Sequence, residues 1–218
     1  NNHLMRFYRI VRDKPEELIE KAKKHNPNED YYYEARERYN QDETLSPVEK
    51  ASLFLYFNKT GYNGLWRVNS DGGFNVPFGS YSNPTIVDEE KILSASSVLE
   101  NVKIFEKDFE YILEEAKEGD IVYFDPPYQP VSETADFTEY TKEGFDKDCQ
   151  KRLHKTCKKL NKNNIIFVLS NSYAKPIREM YENTENFRVK EVEAKRYINC
   201  NGEGRGPVKE IIVHNSIN

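Results

Sequence analysis

The chain has 218 residues, 37% hydrophobic and 32% charged, which supplies one well-cored domain, alone or with a small insertion, and excludes two large ones. Its 32 Lys/Arg and 37 Asp/Glu give a net charge of −5, which at first argues against a polyanionic partner. No apolar run of about 18 residues is present, which excludes a transmembrane helix, and no basic segment followed by an apolar one opens the sequence as a secretory signal would. Cys149, Cys157 and Cys200 form no C-x-x-C pair. That argues against a disulfide scaffold or a zinc site, and a reducing cytoplasm is the simple expectation.

The charge is unevenly placed. Residues 151–218 carry +7 and residues 1–150 carry −12, and from Asn58 to Ile86 the only acidic residue is Asp71. A polyanion responds to the local field, within about 10 Å at moderate salt, so nucleic acid stays open as a partner.

In chain order, Leu4, Phe7, Tyr8 and Val11 recur at helical spacing, and Pro15 opens a second amphipathic segment reaching about Lys24. A third helix is expected over Asp30 to Asn40. Ser46-Pro47-Val48-Glu49 is a capping box with proline at the first helical position, and Leu53 to Phe57 make the helix after it mostly buried. From Thr60 to Pro84 the periodicity stops. The segment is rich in Gly, Asn, Pro and aromatics and holds Trp66, the only tryptophan, which predicts a long binding loop rather than disorder. Helices are then predicted over Asp88–Glu100, near Phe109–Ala116, from Phe145 to Leu160 and near Pro176–Tyr181. Strands are predicted at Val102–Phe105, Ile121–Phe124, Ile165–Leu169, Phe187–Val192 and Val208–Val213. The two central strands are apolar throughout, which predicts an α/β fold whose sheet is covered by helices on both faces.

In an open α/β sheet, ligands bind beyond the carboxyl ends of the strands. Two of these ends are polar: Asp125-Pro126-Pro127-Tyr128 and Ser170-Asn171-Ser172. Two prolines in succession fix the backbone and carry no N–H, so their carbonyls are rigid acceptors. Asp125 adds a carboxylate and Tyr128 an aromatic plane. This set suits a planar ring with an exocyclic NH₂, because two acceptors hold the amine hydrogens, localise the nitrogen lone pair and aim it at an electrophile. An adenine presented this way has to leave its duplex.

These residues resemble the Dam-type DNA adenine-N6 methyltransferases. Besides the tetrapeptide, the resemblance rests on Tyr62-Asn63-Gly64-Leu65-Trp66-Arg67-Val68-Asn69 and Gly73-Phe74-Asn75-Val76-Pro77-Phe78-Gly79. It continues through Phe137-Thr138-x-Tyr140, Leu169-Ser170-Asn171-Ser172 and Lys195-Arg196-Tyr197-Ile198-Asn199, with Arg205 and Glu210 following. It covers nearly the whole chain in the family's order. It implies a Rossmann-like class I methyltransferase sheet flanked by helices, assembled from residues 1–12 and 85–218 and interrupted by a mainly helical DNA-recognition insertion over 13–84.

The resemblance also implies roles. Asp125, Pro126, Pro127 and Tyr128 are the catalytic residues, and the methyl donor is S-adenosylmethionine, with Asp125, Asp108 and Phe109 as the candidates to contact it. In double-stranded DNA, Tyr62-Asn63 fills the space left by the flipped adenine, Arg67 reads a guanine edge, and Leu65 and Pro77 touch thymine methyls. Asn75 and Tyr81 belong to the same reading loop. Lys195, Arg196 and Arg205 are phosphate contacts, and GATC is the expected site. A companion restriction endonuclease is a further expected partner, and a membrane is not.

The departure from the family is at the front, where a Gly-rich cofactor loop and an acidic ribose ligand precede the segment matching Asn1–Leu4. Three accounts stand: a segment preceding Asn1, with that segment preferred; one half of a split enzyme; or a chain that no longer binds cofactor. The rivals to the main function are a DNA-binding half without catalysis and a methyltransferase acting on RNA adenine or cytosine N4.

Plainer readings stand beside these. Trp66 also suits a mini-core under the loop, Arg67 an ion pair with Asp71, Ser170–Ser172 a cap for the next helix, and Lys151 to Lys162 a solvated helix face.

Overall fold

Short polar side chains start the helices of the first half where the sequence places them. In a computed structural model describing residues 1–129, 145–195 and 207–215, Asn1 accepts from the N–H groups of His3 and Leu4 at the head of α1 (Asn2–Asp13). Pro15 occupies the first turn of α2 (Pro15–Ala22), and Asn28 caps α3 (Glu29–Gln41). At α4 (Pro47–Thr60) the capping box closes in both directions, with Ser46 bonded to the Glu49 N–H and the Glu49 side chain to the Ser46 N–H. Asp88 caps α5 (Glu89–Leu99).

The chain forms two compact units, Asn1–Glu106 and Lys107–Asn218. In the first, α4 is buried on nearly every side, as its all-round apolar sequence requires. On one flank it packs with Ile10, Val11, Leu18, Ile19 and Ile92, and on the other it meets Tyr32, Tyr39, Phe74 and Val76.

Val102–Phe105, predicted as a strand, is not one. Arg9 and Arg12 donate to the carbonyls of Ile104 and Val102 at 3.2 and 2.8 Å, so arginine side chains take the acceptors that a neighbouring strand would use.

His25 sits inside the first unit, its Nδ1 2.7 Å from the Tyr31 hydroxyl and its Nε2 3.1 Å from Ser52 Oγ. Ser52 already donates to the Glu49 carbonyl, so Nε2 carries the proton and Nδ1 accepts from Tyr31. Burial, with Arg38 adding to it, pushes the imidazole down to about 4. A base with a lowered folded value contributes stability above its ordinary value of 6.5 and loses it as pH falls toward 4. Thermal unfolding followed across that window should show a loss on the order of 3 kcal/mol that a His25→Gln variant does not show.

In the second unit a one-turn 3-10 helix (Phe109–Tyr111) runs into α6 (Ile112–Glu115). The elements that follow are β1 (Ile121–Phe124), α7 (Lys147–Lys162), β2 (Ile166–Ser172), α8 (Lys175–Glu182), β3 (Phe187–Lys195) and β4 (Pro207–Asn215). The sheet order is β1-β2-β4-β3, with β1 and β2 parallel and β4 antiparallel to both of its neighbours. Leu153, Cys157 and Leu160 from α7, Ile177 and Tyr181 from α8, and Phe167, Leu169, Ile211 and Val213 from the strands form its core. Full burial of each large apolar side chain contributes about 1.5–3 kcal/mol.

Successive residues of β1 point to opposite faces: Val122 and Phe124 are buried in the core of the second unit, and Ile121 and Tyr123 are exposed. Among the described residues β1 pairs with β2 alone. The lysines of α7 face solvent, as a solvated helix face requires, while Arg152 turns back to Asp108 and Glu110 at 2.8 and 2.6 Å. Among the described residues no helix is long and apolar enough to cross a membrane.

Candidate active site and nucleic-acid interface

The parallel pairing of β1 with β2 sets Phe124 beside Leu169, so the chain leaves both strands at the same end. Asp125–Tyr128 and Ser170–Ser172 meet there. Ser170 to Ser172 complete β2 and are buried. They do not cap α8, whose N-cap is Ala174 with no side-chain bond, and their hydroxyl and amide groups turn to the tetrapeptide instead.

Ser170 Oγ donates to Asp125 Oδ1 at 2.8 Å and receives the Tyr123 hydroxyl at 3.1 Å. A serine hydroxyl has one proton, so the relay runs Tyr123 to Ser170 to Asp125. It fixes Oδ1 and leaves Oδ2 of the solvent-exposed carboxylate without a partner among the described residues. Burial pushes the Tyr128 hydroxyl up, with the Glu210 and Asp125 carboxylates adding to it, so the ring is a neutral phenol that donates to Glu210 at 3.4 Å.

The prolines behave differently from each other. Both carbonyls are expected as free acceptors, yet Pro127 C=O accepts from Gln150 Nε2 at 3.1 Å. Pro126 C=O accepts no hydrogen bond from any described residue. Among the described residues, one carbonyl and one carboxylate oxygen therefore remain without a partner at the end of β1, with an aromatic ring two residues beyond Pro126.

Asp108 caps the 3-10 turn through the Glu110 N–H at 3.1 Å. That bond and then Arg152 hold its carboxyl below the usual carboxylate range. Phe109 is half-buried against Phe145, with the Arg152 guanidinium 5.1 Å from its ring centroid.

In the first unit, residues 61–79 fold back on themselves through bridges Gly61 to Phe78 and Val68 to Phe74. The third helix holds the fold-back: the Tyr32 hydroxyl donates to Val76 C=O at 3.0 Å, and the Asn40 amide pairs with both the N–H and C=O of Phe74 at 2.9 and 3.0 Å. A side chain at Gly61 would meet Phe57 O at 2.6 Å and the Tyr32 hydroxyl at 2.9 Å, so only glycine lets the backbone approach this closely.

Residues divide cleanly between the two sides of this loop. Trp66 packs with Phe54 and Phe74 at ring-centroid distances of 4.4 and 4.6 Å, and Phe74 and Val76 are buried; Trp66 thus belongs to the mini-core. Tyr62, Asn63, Leu65, Arg67, Pro77 and Tyr81 are exposed, and Asn75 is half-buried. Asn63 takes a left-handed backbone, φ 52°. Arg67 does not pair with Asp71. Its Nε donates to Asn75 Oδ1 at 2.8 Å and its Nη2 to Asn75 O at 3.4 Å, which aims the remaining guanidinium donors outward.

The loop and the tetrapeptide belong to different units. Lys195 ends β3; Arg196 and Arg205 lie outside the described residues. The sequence reading missed Gln150. It also gave no role to Glu210, although Glu210 belongs to a recognised block.

Residues 1–198 match the family of D12 class N6 adenine-specific DNA methyltransferases. The chain is 42% identical over 221 residues to the type II methyltransferase M1.LlaDCHI of Lactococcus lactis subsp. cremoris, covering 99% of this chain and 77% of that protein. It is 39% identical over 227 residues to the type II methyltransferase M.MjaIII of Methanocaldococcus jannaschii, covering 99% and 78%. To the DNA adenine methylase of Escherichia coli K12 it is 33% identical over 216 residues, covering 97% and 76%. The molecule is thus an adenine-specific DNA methyltransferase by class, and the chain belongs to the D12 class N6 family.

Proposed function

We propose that the protein methylates N6 of adenine in the duplex sequence GATC, with the adenine flipped out of the stack. The observation that carries this reading is the pair of acceptors without a partner among the described residues, Asp125 Oδ2 and Pro126 C=O, at the end of β1 beside Tyr128. They accept the two amine hydrogens while the Tyr128 ring stacks on the base, which localises the nitrogen lone pair. The amine proton leaves to solvent after transfer, so no general base is needed.

S-adenosylmethionine is the methyl donor in this reading and supplies an electrophilic methyl group on a sulfonium sulfur when bound. Asp125 Oδ2 and the half-buried Phe109 ring fit a molecule carrying both a cationic centre and a purine. Asp108, paired with Arg152, acts by holding the turn that presents Phe109.

The recognition insertion is assigned to residues 13–84, and residues 1–12 and 85–218 to a Rossmann-like catalytic domain. Tyr62 and Asn63 enter the space the adenine vacates. Arg67, braced by Asn75, reads guanine, and Leu65 and Pro77 meet thymine methyls. Tyr81 borders this surface, and Lys195, Arg196 and Arg205 contact phosphates. A companion restriction endonuclease fits this assignment, as does a cytoplasmic location.

Methyl-labelled S-adenosylmethionine incubated with the full-length protein and duplexes containing or lacking GATC tests the reading. Label confined to adenine in GATC duplexes is the expected result. Label on cytosine, on RNA or on every duplex alike contradicts it.

A further inference from the structure

Gln150 lies in the first full turn of α7 and is 1% exposed. Burying a carboxamide costs free energy unless both of its ends are bonded, and here both are. Gln150 Nε2 donates to Pro127 C=O at 3.1 Å, and Gln150 Oε1 accepts from Asn171 Nδ2 at 3.1 Å. Asn171, itself fully buried, accepts on Oδ1 from the Ser172 and Gln129 N–H groups at 2.8 and 3.3 Å. The row can run in only one direction, because backbone N–H groups at one end only donate and a proline carbonyl at the other only accepts. Each amide orientation is therefore set by its neighbours.

The row and the Tyr123–Ser170 relay hold the tetrapeptide at different atoms. The relay fixes Asp125 at its side chain, and the row fixes Pro127 and Gln129 at their backbones, with Ser172 Oγ also donating to Gln129 C=O at 2.5 Å. Between these points lies Pro126, whose carbonyl accepts no hydrogen bond from any described residue. Asp146 fixes the origin of Gln150 by accepting from the N–H groups of Asp148 and Cys149 at 3.0 and 2.8 Å.

We propose that Gln150 is a positioning residue for methyl transfer: by holding the Pro127 carbonyl it directs the Pro126 carbonyl toward the amine site and stops Pro127 from competing for the amine hydrogens. This role rests on the reading of Asp125 and Pro126 as the amine-binding pair. A glutamine that served stability alone would be replaceable by an apolar residue of its shape without a catalytic effect.

The test uses the full-length protein, Gln150→Met and Gln150→Glu, with kcat, KM for DNA and thermal unfolding measured in parallel at temperatures where every variant is folded. Gln150→Met, which lacks both bonds, should lower kcat about tenfold to a hundredfold, as a small misplacement of reacting groups does, with KM for DNA changed less than about twofold. Gln150→Glu keeps the acceptor for Asn171 but turns a carboxylate oxygen against Pro127 C=O. Its kcat relative to wild type should be low at about pH 8 and rise toward pH 6 as a buried carboxyl gains the proton that restores the donor.

Wild-type kcat in Gln150→Met, a rise in KM alone, or a loss that follows the unfolding midpoint with no pH recovery in Gln150→Glu overturns the role. A wild-type protein that transfers no methyl group overturns the reading of the site and this role with it. An active wild type matched by Gln150→Met removes only the role.

Discussion

Asp125→Asn is expected to lower kcat for methyl transfer by about two to three orders of magnitude, the scale of losing one preorganised polar group at a reacting centre, while leaving the protein folded. The carboxylate is exposed, so the fold does not depend on burying it. The size of the effect follows from the relay. Tyr123 donates to Ser170 and Ser170 donates to Asp125 Oδ1, so an asparagine would turn its oxygen to Ser170 and its NH₂ to the substrate. A donor would then face the amine's own hydrogens, and the lone pair would no longer be drawn out of the ring. Single-turnover label transfer with thermal unfolding alongside checks this. Full activity in Asp125→Asn would remove the carboxylate from the mechanism. Ser170→Ala should show a smaller loss, because Oδ1 keeps its charge and loses only its orientation.

The second large effect belongs to specificity. Arg67→Ala should cost about 1–3 kcal/mol of discrimination at the guanine, a factor of roughly ten to a hundred, with smaller effects at other positions. The comparison is kcat/KM on GATC against duplexes changed only at the first base pair. Arg67→Lys should not restore the preference, because an ammonium lacks the planar fork that meets two acceptors together. Asn75→Ala should fall between, since the guanidinium survives but the 2.8 Å bond that aims it does not. Unfolding temperatures should stay near wild type throughout, as Arg67 is exposed. Unchanged discrimination in Arg67→Ala would mean that guanine is read elsewhere.

The parts of this molecule that were legible in the sequence are those decided within a few residues. The capping box at Ser46 and Glu49, the proline at the head of α2 and the aspartate at Asp88 all mark helix starts that the structure keeps. The tetrapeptide and the exposed side of the loop were legible for a different reason, because glycine, proline and aromatic residues are costly to gather without a use. Long-range competition for backbone groups was not legible. Val102–Phe105 has strand composition, yet Arg9 and Arg12, some ninety positions away, take its carbonyls. Within the apolar run of β1 only Val122 and Phe124 pack into the core of the second unit, because successive strand residues point to opposite faces whatever their composition. Gln150 was hidden by chemistry, being a polar residue among lysines. The available signal was its phase: it precedes Leu153, Cys157 and Leu160 at helical spacing on the buried stripe of α7.

The loop over residues 61–79 separates two kinds of residue that proteins often combine. Asn40, Tyr32, Phe74, Val76 and Trp66 hold its shape from beneath, while Tyr62, Leu65, Arg67 and Pro77 stand on it in solvent. On the DNA-reading role proposed for the upper positions, substitution there changes sequence preference with little penalty to folding, and a library confined to those four sites tests that role on an unchanged scaffold. On the same reading, a lineage of such enzymes would pass from one recognition site to another by single substitutions, each intermediate remaining a folded protein.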